Sequence, residues 1–100
     1  MSAEQRLQEL QLELPPAPKP AGVYKPAVQI GNMLYLSGHG PLKSDGTLIS
    51  GKVGSDLTQE EGYAAARQTG LALLATVRAH LGSLDRISRT MKVLGMVNCG

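Results

Sequence analysis

One short segment of the chain concentrates the side chains that could do chemistry. Its sequence, VYKPAVQIGNMLYLSGHGP, places Tyr24, Ser37 and His39 close to two glycines. Tyrosine, serine and histidine can each donate or accept a hydrogen bond. Gly38 and Gly40 leave the backbone open to a ligand that approaches closely. The segment therefore predicts one wall of a binding pocket rather than a plain hairpin.

The rest of the sequence carries no second motif for catalysis. His39 and His80 have no cysteine or carboxylate at the spacing of metal ligands, and there is no GxGxxG or P-loop pattern. Cys99 has no base beside it that would activate the thiol as a nucleophile. We therefore expect neither a metal nor a cofactor. The net charge of +2, with lysine and arginine dispersed, also argues against a nucleic-acid surface.

Capping and proline signals divide the chain into three parts. Ser2 and Gln5 fit a capping box, so residues 1–14 predict an N-terminal helix, which we expect to be loosely or peripherally attached. Residues 15–22 are rich in proline and predict an extended linker. Residues 23–100 are then left as one folded domain.

That domain is predicted to contain short strands around one long helix. Two strands flank the Gly-Asn turn, with the second at residues 33–36. A third strand is expected near residues 47–49 and a fourth over residues 89–97. This order of elements indicates an α+β fold with one helix packed on a sheet.

The long helix is predicted over residues 59–81. Thr58 and Glu61 form a second capping box at its start, and Gly82 supplies the left-handed residue that ends it. Apolar and small residues recur along one face, and we expect this face to contact the sheet. The face comprises Ala66, Gly70, Leu73, Val77 and Leu81.

The segment that contains Tyr24 and Ser37 also resembles a known family. A tyrosine, a Gly-Asn turn, an apolar strand and a Ser-Gly corner followed by proline are similar to the opening of the RidA family. These are the YjgF-type reactive intermediate deaminases, also labelled endoribonuclease L-PSP or chorismate-mutase-like. The resemblance continues from GTLISGKVGSDLT through the long helix to MKVLGMVN. The N-terminal helix and the GHGP corner resemble a longer subgroup of that family.

The resemblance implies a function and a set of site residues. Family members hydrolyse enamines and imines of 2-amino acids to 2-keto acids and ammonia, as homotrimers with sites between subunits and without a cofactor. By resemblance, Tyr24 and Ser37 are catalytic, while Gly38 and Asn98 bind the substrate. No role transfers to His39, because many members carry another polar residue there, and a lone histidine is more often packed or solvated.

The resemblance also implies that the chain is incomplete. Members continue with a second helix, later strands, an arginine that pairs with the substrate carboxylate and a late glutamate. We therefore expect no measurable deaminase activity from these 100 residues alone. A non-catalytic module that binds a small carboxylate on the same trimeric fold remains an alternative function.

Two further expectations follow from what the sequence lacks. Ribonuclease activity ranks last among the functions, because no paired acid–base set of histidine or lysine accompanies the corner. The expected compartment is the cytoplasm, since the chain has no signal-like segment, no apolar run of membrane length and a single cysteine.

Overall fold

One long helix dominates the fold. The computed structural model describes residues 2–17 and 25–100. Helix α1 spans Ala3–Glu9, strands β1 and β2 span Ala27–Ile30 and Met33–Leu36, helix α2 spans Gln59–Leu81, and a 3-10 turn spans Leu84–Arg86. None of the described helices combines the length and apolarity needed to cross a membrane. The elements form the predicted α+β arrangement.

Strands β1 and β2 form a two-stranded antiparallel sheet. The cross-strand pairs are Ala27 with Leu36, Val28 with Tyr35, Gln29 with Leu34, and Ile30 with Met33. This register leaves Gly31 and Asn32 as a two-residue turn. Gly31 has a φ of 59°, which glycine tolerates and which the first central position of a type II′ turn requires. Strand β2 therefore has its predicted bounds.

Helix α2 begins and ends where its capping signals predict. The Thr58 hydroxyl accepts a hydrogen bond from the Glu61 N–H at 3.1 Å, and the Glu61 carboxylate accepts one from the Thr58 N–H at 2.9 Å. At the other end Gly82 adopts a φ of 85°. Both arrangements satisfy backbone groups that a helix end leaves without partners.

The buried face of α2 differs from the predicted one. Val77 is buried and Leu73 is partly buried, as expected, but Ala66 is exposed. A Cβ added at Gly70 would meet nothing within 4 Å, so Gly70 does not bring the helix close to another element. The covering elements lie along the C-terminal half of the helix. The buried residues are Leu71, Ala72, Ala75, Thr76 and Val77.

The close approach of another segment to α2 occurs at its first turn. A Cβ added at Gly62 would lie 2.8 Å from Val53 Cγ2, a distance that a real side chain cannot accept without displacement. Gly62, rather than Gly70, is therefore the glycine that close packing requires.

Helix α1 contributes its one buried residue, Leu7, to the apolar core, so the predicted loose attachment is wrong while a peripheral position agrees with the structure. Leu7, Val77 and Leu84 are buried together, and Leu34 and Leu36 of β2 pack against them. Helix α1 also ends well before residue 14: Leu10 is its C-cap, and Gln11 follows with a φ of 56°. The burial of Leu7 ties this short helix to α2, which a capping pattern cannot reveal.

Two of the predicted strands do not form in the described part of the chain. Around residues 47–49 there is only a single bridge between Leu42 and Leu48, and residues 89–97 have no regular structure. Met96 is 88% exposed. A strand needs neighbouring backbone hydrogen-bond partners, and the described residues place none beside residues 89–97. The alternation of apolar and polar residues was therefore not sufficient to predict a strand there.

Candidate functional site

The Ser37–Gly38 corner lies at the end of β2 and is tied to the segment before β1. The Ser37 N–H donates to the Pro26 carbonyl at 3.0 Å, and the Ser37 hydroxyl donates to the Lys25 carbonyl. These two bonds extend the hairpin beyond its last paired residues. Because the hydroxyl hydrogen is used, the oxygen of Ser37 presents its remaining lone pairs as acceptors.

Gly38 leaves the corner accessible. The residue is exposed, and a Cβ added to it would meet nothing within 4 Å. A ligand can therefore approach the backbone of the corner without meeting a side chain at this position.

His39 holds the corner but does not activate Ser37. Its Nδ1 lies 2.7 Å from the backbone oxygen of Ser37, and its Nε2 lies 2.6 Å from Thr76 Oγ1. Neither ring nitrogen contacts the Ser37 hydroxyl among the described residues. A serine nucleophile needs an adjacent base, so the geometry does not form a Ser–His pair of the hydrolase kind.

Asn98 lies in a different part of the described structure. Its side chain is exposed, and its carbonyl accepts a hydrogen bond from the Val53 N–H at 3.0 Å. Gly100 N–H donates to the Val53 carbonyl at 3.0 Å, which holds the segment beside Val53. Within residues 2–17 and 25–100, no hydrogen bond joins Asn98 to the Ser37–Gly38 corner. Tyr24, the other predicted catalytic residue, lies outside the described residues.

Two cavities on the described residues lie away from the corner. One, of about 520 Å³, is open to solvent. It is lined by Lys25, Ala27, Val28, Gln29, Gly31 and His80. The other, of about 350 Å³, is lined by Leu14, Pro15, Ala17, Ala75, Arg78 and Ala79. Ser37 and Gly38 therefore lie at an open corner outside both cavities, with Asn98 elsewhere beside Val53. No cluster of metal-ligating side chains occurs in the described residues.

A charged cluster, which the sequence reasoning missed, fixes α1 against α2. The Glu4 carboxylate accepts from Arg78 Nη2 at 2.6 Å and Nε at 3.2 Å, and from the Leu84 N–H at 2.8 Å. The Asp85 carboxylate accepts from the Glu4 N–H at 2.8 Å. The Arg78 guanidinium and the Leu84 N–H lower the pKa of Glu4, and Glu4 raises the pKa of Arg78.

Together, the long capped helix and the hairpin define a small α+β protein. Residues 4–100 match the profile of the family described as "YjgF/chorismate mutase-like, putative endoribonuclease". The chain belongs to this family.

Individual relatives agree with this membership. Protein TCP17 of Trypanosoma cruzi is 40% identical over 92 residues, which cover 92% of this chain and 58% of the relative. A solved structure of a "putative endoribonuclease" from Shewanella oneidensis has a TM-score of 0.83 at 37% identity, covering 89% of this chain and 59% of that one. A protein of unknown function from Agrobacterium tumefaciens has a TM-score of 0.64 at 38% identity, with coverages of 79% and 47%.

The lengths of these relatives differ from that of this chain. The chain spans about 58% of the curated relative and 59% of the Shewanella structure.

Proposed function

We propose that the chain carries part of the site of a RidA-type deaminase. The reaction is hydrolysis of enamines and imines derived from 2-amino acids to 2-keto acids and ammonia. The observation that carries the proposal is the open corner at the end of β2. It combines an accessible backbone at Gly38 with a Ser37 oxygen whose lone pairs remain available.

Hydrolysis of a reactive imine requires few catalytic groups from the protein. The enamine first becomes the imine, as its carbon gains a proton and its nitrogen loses one. A water oxygen then bonds to the imine carbon while one water proton moves to the nitrogen, which gives a carbinolamine. The second water proton moves from oxygen to nitrogen, the carbon–nitrogen bond breaks as the C=O bond forms, and ammonia leaves. A reactive imine needs an oriented water and a fixed carboxylate rather than a protein nucleophile. The absence of a Ser–His pair at Ser37 is consistent with that requirement.

The proposal assigns a role to each of four residues. Ser37 Oγ accepts a hydrogen bond from the attacking water, because its own hydrogen is used by the Lys25 carbonyl. Tyr24, which precedes Lys25 in the sequence, is the second proposed catalytic group. Gly38 contributes bare backbone for the substrate, and the exposed amide of Asn98 is a second proposed substrate contact. The family's carboxylate-binding arginine would complete the set.

A non-catalytic module that binds a small carboxylate uses the same corner and is the second candidate. An accessible backbone and a hydroxyl acceptor serve binding as well as hydrolysis, so turnover alone separates the two functions. The endoribonuclease name belongs to the relatives that carry it. RNA cleavage by this chain would require an acid–base pair. Both ring nitrogens of His39 are already engaged by Ser37 and Thr76.

We also propose that the protein forms a homotrimer in the cytoplasm. Val28, Ile30, Met33 and Tyr35 are exposed, and the alternation of strands together with their register places all four on one face of the hairpin. An exposed apolar face of this kind favours burial against another subunit. Sedimentation velocity should show a trimer for the unsubstituted protein, and Tyr35→Lys should dissociate it. An unsubstituted protein that is monomeric at micromolar concentration would contradict the proposal.

The experiment that tests the function uses a joined protein, in which residues 1–100 are followed by the C-terminal segment of a family member. A pyridoxal-phosphate enzyme generates 2-aminoacrylate, and release of the 2-keto acid is compared with the buffer rate. Acceleration by the joined protein is expected, and the 100-residue chain should show no measurable acceleration. Pyruvate binding without acceleration would favour the binding module. Cleavage of an RNA oligonucleotide would favour the endoribonuclease activity that the relatives' name gives.

A further inference from the structure

Helix α2 supplies two polar side chains to the segment that contains the candidate corner. Thr76 Oγ1 lies 2.6 Å from His39 Nε2, and Gln68 Nε2 donates to the Leu42 carbonyl at 2.6 Å. Residues eight positions apart in a helix lie about two turns apart along the axis and roughly 80° apart around it, within one broad face. The helix therefore holds the chain at residue 39 and again at residue 42.

The hydrogen-bond partners of His39 determine its tautomer. The Ser37 backbone oxygen can only accept, so the Nδ1 that lies 2.7 Å from it must carry a hydrogen. In the neutral ring Nε2 is then an acceptor, and the Thr76 hydroxyl donates to it. Thr76 is 4% exposed, and a buried hydroxyl without a partner is unfavourable. The two groups therefore satisfy each other.

This contact also sets the direction of the Gly38 N–H. Ser37 C=O and Gly38 N–H belong to one planar trans peptide, in which the two groups point in opposite directions. With the carbonyl directed at the His39 ring, the N–H is directed away from it. Among the described residues the Gly38 N–H has no acceptor, and the space beside Gly38 is open.

We propose that His39, held by Thr76, is a positioning residue that directs the Gly38 N–H toward an acceptor oxygen of the substrate. His39 does not itself contact the substrate, because both of its ring nitrogens are engaged within the protein. The assignment of Gly38 as the donor rests on the proposed function. The tautomer and the contact of His39 with Thr76 do not rest on it.

The contact is tested on the 100-residue chain by long-range ¹H–¹⁵N spectra of its histidines at about pH 8. The expected result is the Nδ1–H tautomer of His39. Thr76→Val removes the donor with little change of shape and should mix the tautomers. It should also speed exchange of the Ser37 amide by about tenfold relative to that of Gln29. Thr76→Ser should restore the Nδ1–H tautomer of His39 and the slow exchange of the Ser37 amide. Gln68→Ala should leave the tautomer unchanged.

Two results would overturn the proposal. One is an Nε2–H tautomer in the unsubstituted chain, which decides the question even where Thr76→Val fails to fold. The other is a folded Thr76→Val variant with an unchanged tautomer and unchanged relative exchange at Ser37.

A third arm uses the joined protein to separate this proposal from the proposed function. Thr76→Val should lower kcat/KM about tenfold and Thr76→Ser should restore it. If kcat/KM is unchanged by Thr76→Val in an active joined protein, His39 does not position the donor. If every joined protein is inactive while the Nδ1–H tautomer is present, the deaminase assignment fails and the His39–Thr76 contact stands.

Discussion

Replacement of Leu7 by alanine tests whether α1 is an integral part of the fold. Leu7 is only 7% exposed and packs with Val77 and Leu84. Each buried methylene-sized group contributes about 0.8 kcal/mol, so loss of the three outer carbons removes about 2.4 kcal/mol. A cavity adds to this cost, but α1 is short and can settle into the space. We therefore expect Leu7→Ala to lower the free energy of unfolding by about 2–3 kcal/mol.

Leu10 provides a matched control for this prediction. It lies at the C-cap of the same helix and is 48% exposed, so Leu10→Ala should cost about 0.5 kcal/mol or less. Urea unfolding followed by far-UV circular dichroism measures both variants, with the slope against denaturant unchanged. Equal small effects of the two substitutions would refute the conclusion that α1 is docked through Leu7.

Two further predictions concern α2 and its contact with α1. Gly62→Ala should destabilise the chain by about 1–3 kcal/mol, because its Cβ would lie 2.8 Å from Val53 Cγ2. Gly70→Ala, whose Cβ would meet nothing within 4 Å, should stabilise the chain by about 0.5–1 kcal/mol. If thermal unfolding shows that both substitutions change the stability in the same direction, the result would contradict this packing. The pKa of Glu4 is lowered in the folded chain by Arg78 and the Leu84 N–H, so Glu4 stabilises the fold above its ordinary pKa and loses this effect as pH falls through the lowered value. Glu4→Gln should therefore be less stable than the parent chain at neutral pH, and the difference should shrink below about pH 4.5; a difference that is constant with pH would argue against the ion pair.

Local signals in the sequence were sufficient to predict the elements whose turns and caps join residues close together in the chain. The hairpin is determined by a two-residue turn in which Gly31 adopts a positive φ, and α2 by the Thr58–Glu61 box and Gly82. These interactions join residues a few positions apart, so their residue types predict them directly.

Long-range partners could not be predicted in the same way. The contact of Glu4 with Arg78 joins residues 74 positions apart, and the contact of His39 with Thr76 joins residues 37 apart. No local pattern identifies either pair. The predicted stripe on α2 failed at Ala66 for the same reason, since burial depends on which element covers the helix. A predicted strand over residues 89–97 likewise depended on a partner strand that the pattern does not supply.

Sequence and resemblance predicted Ser37, Gly38 and Asn98 as site residues. The structure places the first two in one accessible corner and Asn98 beside Val53. The interpretation of His39 as packed or solvated was incomplete, because its two hydrogen bonds depend on the position of α2. The roles of Tyr24, Ser37, Gly38 and Asn98 remain proposals.

The most direct test of the central claim is kcat/KM of the joined protein after Ser37→Ala, with 2-aminoacrylate as the source of imine. Ser44→Ala is the matched control, since Ser44 is exposed in the turn that follows the corner. If the Ser37 oxygen orients the attacking water, Ser37→Ala should lower kcat/KM about tenfold or more, and Ser44→Ala should leave it unchanged. An active joined protein in which Ser37→Ala and Ser44→Ala are equally active would show that the corner at the end of β2 is not the site of the reaction.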